Sequence, residues 1–241
     1  MPQPVIGITV DNLQNSITSG RYDVGIGYSR AVAQAGGVPV LLPHEVSRVE
    51  SYVAMCDGLI LTGGVDPDTA ALPADWPGAG PIHPAARRMD PTRQVFELNL
   101  LEHWLTHRPT APLLGICLGM QLLTLYHGGL LNQYLPDDYD DQVVQRHRDS
   151  EHGISTIAPD SVLPQSDEMI RSHHQQAISD PGSLRVVAVA EDGIIEAVDQ
   201  PGHPFLLGVQ WHPERGDIAA NSPLSAGLIE RFVTTASATL A

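Results

Sequence analysis

The 241-residue chain is poor in basic residues, in cysteine and in long apolar runs, and each shortage excludes something. It carries 13 Lys and Arg against 28 Asp and Glu, a formal net charge of -15. Without a Lys/Arg cluster there is no basic surface to hold a phosphate backbone, so nucleic acid is not expected as a partner. The acidity is read first as a device for solubility. Two cysteines, Cys56 and Cys117, make no disulfide framework. Cys56, beside the apolar Asp57 to Leu61 segment, reads as core. No apolar run approaches the roughly eighteen residues that cross a bilayer, and the start shows no basic segment followed by a signal-type apolar core. A cytoplasmic protein with no membrane partner is therefore expected. With 42% hydrophobic and 17% charged residues, the chain reads as one folded domain over 1–241.

What is present is alternation. Strand-like runs at Val5–Val10, Val38–Leu42, Gly58–Leu61 and Pro112–Ile116 are separated by helical patterns near Val24–Ala35, Glu45–Met55 and Thr92–His107. This order predicts βαβ units and a mainly parallel central sheet flanked by helices. Further strands are expected at Ile154–Ile157, Leu184–Ala190, Ile194–Val198 and Phe205–Val209, with a closing helix near Ser225–Ala236. The one long irregular stretch, Val65 to Pro91, is rich in proline and is expected to form a wall or lid.

Cys117 ends the apolar run Leu113-Leu114-Gly115-Ile116 and opens the helical pattern Leu118-Gly119-Met120-Gln121. A glycine on either side suits a sharp strand-turn-helix elbow, with the sulfur exposed at the strand's end. The helix N-terminus would favour a thiolate. A buried structural cysteine is the competing reading. Downstream, Gly208-Val209-Gln210-Trp211-His212-Pro213-Glu214 puts a histidine and a carboxylate just past a second apolar segment. A nucleophile, a base and a group that orients the base can be far apart in sequence, because strand ends converge in an α/β fold.

Together these two stretches resemble the class I glutamine amidotransferase-like hydrolases. Three others, Gly58-Leu59-Ile60-Leu61-Thr62-Gly63-Gly64-Val65-Asp66-Pro67, Ser172-His173-His174-Gln175 and Asp192-Gly193-Ile194-Ile195-Glu196-Ala197-Val198, resemble the γ-glutamyl-γ-aminobutyrate hydrolase branch, the peptidase C26 group. The resemblance extends through Val5-Ile6-Gly7-Ile8-Thr9 and the Ala35 to Pro43 segment. It implies a flavodoxin-like α/β fold and cysteine-dependent hydrolysis of a γ-glutamyl amide, with Cys117 as nucleophile, His212 as acid and base, and Glu214 as its orienting partner. It assigns the oxyanion donors to the Gly63-Gly64 turn and to the Leu118 amide, although Thr-Gly-Gly alone reads equally as a plain turn. Gln121, His173 and His174 would contact or support the γ-glutamyl substrate. No metal or organic cofactor is implied.

Two departures from the family pattern bear on specificity. The residues before His173-His174-Gln175 are Ile170-Arg171-Ser172 rather than a polar Asn-Ser pair, and Arg171 is a candidate partner for a substrate carboxylate. Leu118 replaces the arginine that often follows the nucleophile, as in ammonia-donating amidotransferases. A glutaminase subunit feeding ammonia to a synthase is therefore the first alternative, and a non-catalytic binding module on the same fold the second. His103 and His107, spaced i, i+4, have no third ligand in the pattern and are not read as a metal site. His147 and His152, among charged neighbours, read as a solvated loop. His83 falls in the proposed lid. A homodimer is the default expectation for a soluble enzyme.

Overall fold

The structure is a computed structural model describing residues 2–12, 20–166, 168–215 and 222–238. In chain order it runs β1 (Val5–Thr9), β2 (Asp11–Asn12), β3 (Tyr22–Asp23), α1 (Ile26–Gln34), β4 (Val38–Leu42), α2 (Val49–Met55) and β5 (Gly58–Leu61). After the irregular stretch come α3 (Pro91–His107), β6 (Leu113–Ile116), α4 (Leu118–Tyr126), β7 (Leu130–Asn132) and α5 (Asp141–Arg146). The last part holds β8 (Arg148–Thr156), β9 (Met169–His173), β10 (Ala177–Asp180), β11 (Arg185–Ala190), β12 (Ile195–Asp199), β13 (Leu206–Val209) and α6 (Ala226–Ala238).

The sheet order β4-β1-β5-β6-β13-β12-β11-β8-β9 joins two halves. From β4 to β13 every pairing is parallel, as the alternation predicts. From β13 to β9 every pairing is antiparallel, an extension the sequence pattern did not reveal. Strand β8 is also far longer than the expected Ile154–Ile157, because its first half pairs with β9 over polar residues.

Period-two alternation divides the core between the two faces of the parallel half. Ile60, Leu114, Ile116, Leu207 and Val209 face α1 and α6. Leu59, Leu61, Leu113 and Leu206 face α2, α3 and α4. Helix α3 starts where Asp90 accepts hydrogen bonds from the Thr92 and Arg93 amides, with Pro91 in the first turn, where its missing N–H costs nothing. Phe96 and Trp104 then bury completely, each contributing about 1.5–3 kcal/mol by leaving water. Cys56 is fully buried in the same layer, as expected. No helix among the described residues is long and apolar enough to cross a membrane.

Candidate active site

Parallel strands β5, β6 and β13 are neighbours in register, Leu61 opposite Gly115 and Ile116 opposite Val209. Their carboxyl ends therefore open onto one edge. β5 delivers Gly63-Gly64 there, β6 delivers Cys117 and β13 delivers His212. All three line a cavity of about 320 Å³, at the place where open α/β sheets bind ligands.

Cys117 has φ 52°, a left-handed conformation that costs a non-glycine residue energy and turns the chain sharply from strand to helix. The Cys117 amide bonds the Val209 carbonyl at 2.8 Å, and its own carbonyl accepts the Gln121 amide at 3.1 Å. The glycines serve differently from the sequence expectation. Neither Gly115 nor Gly119 has positive φ. A Cβ on Gly115 would lie 2.7 Å from the Gly119 backbone, and one on Gly119 would lie 2.2 Å from the Leu61 carbonyl oxygen. They permit the helix to lie against the sheet, while the cysteine itself makes the turn.

His212 is 3% exposed, and its Nδ1 sits 2.8 Å from Glu214 Oε1. The intervening Pro213 begins a 3-10 turn that folds the carboxylate back onto the ring. Burial opposes charging the imidazole, but the hydrogen bonds and negative charge offered by Cys117 and Glu214 prevail, and its pKa is raised to about 9. The Arg171 carbonyl fixes the His212 amide at 3.1 Å, and Trp211 is anchored by its indole N–H on the Leu224 carbonyl at 2.9 Å.

The glycine turn touches both groups. A Cβ on Gly63 would lie 2.8 Å from His212 Cε1. The Gly63 amide, one of the expected oxyanion donors, donates instead to the Tyr28 hydroxyl oxygen at 2.9 Å. Behind the turn lies Arg93, fully buried. Its Nη2 donates to Thr62 Oγ1 and to the Gly63 carbonyl, each at 3.1 Å, and its charge is matched by Glu97 at 2.6 Å and Asp11 at 3.3 Å. Burial works against this cation, but Glu97 and Asp11 outweigh it and raise its pKa.

The expected substrate contacts divide. His173 lines the cavity, with its carbonyl 3.9 Å from the Cys117 sulfur and its Nδ1 2.7 Å from Asp149. His174 is buried and turned to the Gln176 carbonyl, away from the cavity. Gln121 is buried and bonds the Gln176 carbonyl and Gln210 Oε1 at 3.4 and 3.3 Å. Gln210 in turn donates to the Cys117 sulfur at 3.5 Å. Arg171 is exposed and is not among the residues lining the cavity, whereas Arg87 and Arg215 are. Tyr28, Arg93 and Gln210 were missed by the sequence reading, since nothing local distinguishes them from ordinary helix and strand residues.

The Val65 to Pro91 stretch supplies one wall of the cavity through Val65 and Arg87. Asp66 ties its two ends together, accepting the Arg87 amide at 2.7 Å on its carboxylate and the Met89 amide at 2.8 Å on its carbonyl. His83 lies away from the cysteine, stacked on Tyr134. The solvated loop expected at His147 and His152 is a correction: both are buried, because β8 pairs with β9 and β11 and brings them against Glu196 of β12.

A profile of the Peptidase C26 family matches residues 4–214. The chain belongs to this family. It is 36% identical over 231 residues to a protein of Mycobacterium tuberculosis provisionally named a glutamine amidotransferase, covering 88% of this chain and 70% of that one. It is 31% identical over 258 residues to the γ-glutamyl-γ-aminobutyrate hydrolase of Escherichia coli K12, covering 97% and 94%. Among solved structures, the glutaminase domain of Trypanosoma brucei CTPS with bound acivicin superposes with a TM-score of 0.63 over 98% of this chain and 94% of that one, at 14% identity. The family is thus that of the class I glutamine amidotransferase-like proteins, and the fold is theirs.

Proposed function

We propose that the chain hydrolyses the γ-glutamyl amide bond of a γ-glutamyl-amine, releasing glutamate and the free amine. The observation that carries this reading is the placement of Cys117, His212 and Glu214 on adjacent strand ends around one cavity. The family and the relatives named as γ-glutamyl-γ-aminobutyrate hydrolases support the bond type.

In this mechanism the Cys117 thiolate attacks the γ-carbonyl carbon, and the Gly64 and Leu118 amides receive the oxyanion. Collapse breaks the C–N bond, and the His212 imidazolium gives its proton to the departing amine. A γ-glutamyl thioester remains. Neutral His212 then takes a proton from water, whose oxygen displaces the sulfur and yields glutamate. Glu214 keeps the ring oriented and stabilises its charged form. No metal or organic cofactor takes part. The cavity presents Asp11 and Asp23 together with Arg87 and Arg215, a mixed-charge lining complementary to the ammonium and carboxylate of a glutamyl group.

The leaving amine would be γ-aminobutyrate or a polyamine. A second reading, a glutaminase delivering ammonia to a partner, is favoured by Leu118 after the nucleophile and by the relative named as an amidotransferase. A panel of γ-glutamyl amides that includes glutamine, followed by mass spectrometry, separates them. Turnover of γ-glutamyl-amines by the isolated chain supports the hydrolase. Glutamine turnover confined to a complex with a partner overturns it.

A further inference from the structure

On the antiparallel side of the fold, three buried imidazoles and one buried carboxylate converge. His147 precedes β8, His152 lies within it, His174 follows β9 and Glu196 belongs to β12. His147 Nδ1 is 3.1 Å from Glu196 Oε1 and 3.1 Å from His174 Nε2. His174 Nε2 is 3.4 Å and His152 Nε2 3.6 Å from that same carboxylate oxygen.

The opposite nitrogen of each ring decides what these atoms offer. His174 Nδ1 meets the Gln176 carbonyl at 2.8 Å, His152 Nδ1 the Gly153 carbonyl at 3.1 Å, and His147 Nε2 the Asp192 carboxylate at 3.1 Å. Carbonyls and carboxylates accept only, so each neutral ring spends its single N–H outward and turns a lone pair inward. Three lone pairs and a carboxylate then face one another out of water, which is costly unless a positive charge stands among them. Close as the rings are, among the described residues neither Glu196 oxygen receives a properly directed hydrogen bond, and His152 Nε2 has no hydrogen-bond partner.

We propose that this cluster is a structural zinc site, with His147 Nδ1, His174 Nε2 and Glu196 Oε1 as ligands and His152 beside it. In a tetrahedron with metal–ligand bonds of about 2.0–2.1 Å the ligand atoms stand roughly 3.3–3.4 Å apart. The three separations among these atoms, 3.1, 3.1 and 3.4 Å, lie close to that value. Imidazole-rich N/O donor sets suit zinc better than calcium or magnesium. Outward bonds from His147 to the Asp192 carboxylate and from His174 to the Gln176 carbonyl are the supporting contacts that fix the orientation of ligating histidines. All three ligands are buried and none lines the cavity at Cys117, so the role is structural. A cavity of about 410 Å³ lined by Arg146, His152 and Asp192 gives the ion an entrance. The ion would clip β8, β9 and β12 together, the layer that holds His173 and the Arg171 carbonyl beneath His212. This inference does not depend on the hydrolase reading.

The test uses the full chain, stripped with EDTA, incubated with zinc sulfate, desalted and analysed by elemental mass spectrometry. The expected result is about one zinc per chain, in the unaltered protein and in Cys117→Ala alike, with at least a roughly tenfold loss in folded Glu196→Gln. Because a variant here can misfold, cobalt(II) titration of the unaltered chain gives a second reading, with the intense visible bands of tetrahedral cobalt expected and abolished by zinc. Less than about a tenth of a zinc per chain without cobalt bands overturns the site in favour of a proton-held cluster. Zinc lost in Cys117→Ala, or undiminished in folded Glu196→Gln, places the ion elsewhere and overturns it equally.

Discussion

The Gly63 amide is held by the Tyr28 hydroxyl at 2.9 Å, which ties the turn beside Cys117 to the first helix. Burial and then the charge of Glu214 push the Tyr28 pKa well up, so the phenol stays neutral through the physiological range. Tyr28→Phe leaves the Gly63 N–H without its acceptor. The expected cost is about 1–3 kcal/mol of stability, read by urea unfolding, with a fall in kcat/KM as the turn loosens. Unchanged stability and activity would show that the turn is held without it.

His212 gives the pH dependence its sign. Its folded pKa of about 9 stands above the ordinary 6.5, so its stabilising contribution is complete below pH 6.5 and is lost as pH rises through about 9. Across that window the folded chain binds the proton that the unfolded chain has released, and stability falls with pH by at most roughly 1.4 kcal/mol per unit. Replacing His212 with Gln should remove this slope in unfolding curves measured from pH 6 to 10. In the intact protein kcat/KM should decline on the alkaline side as the imidazolium that protonates the amine disappears.

Gly119→Ala places a methyl group 2.2 Å from the Leu61 carbonyl oxygen. Both partners are in close-packed backbone, so overpacking should cost about 1–3 kcal/mol or more. A lowered urea midpoint checks this, and a midpoint equal to the parent's would contradict the contact.

The two thiols should differ in reactivity. Cys56 is fully buried, and burial, reinforced by Asp57, pushes its pKa to about 12. Cys117 opens on the cavity with His212 beside it. Brief iodoacetamide treatment of the folded chain should label Cys117 alone, as read by peptide mass spectrometry.

The parallel half of the fold was legible because each strand and helix there carries its own local signal, apolar runs for the strands and helical patterns between them. The cysteine elbow and the Trp211-His212-Pro213-Glu214 segment were legible for the same reason. The antiparallel extension was not, since β8 begins with Arg148, Asp149, Ser150 and Glu151 and looks like solvated loop until β9 covers it. Arg93 and Glu196 were hidden in a different way. A charged residue reads as exposed in sequence, and only long-range partners such as Asp11 and His147 make its burial affordable. Arg171 shows the reverse: a plausible charge next to a site motif, exposed and not among the residues that line the cavity.

The central claim is that Cys117 carries the glutamyl group. Rapid acid quenching of the chain during turnover of γ-glutamyl-γ-aminobutyrate, followed by peptide mass spectrometry, tests it directly. A glutamyl adduct is expected on the peptide containing Cys117, discharged by hydroxylamine and absent from Cys117→Ala, which should also lose turnover. Turnover retained by folded Cys117→Ala would contradict it.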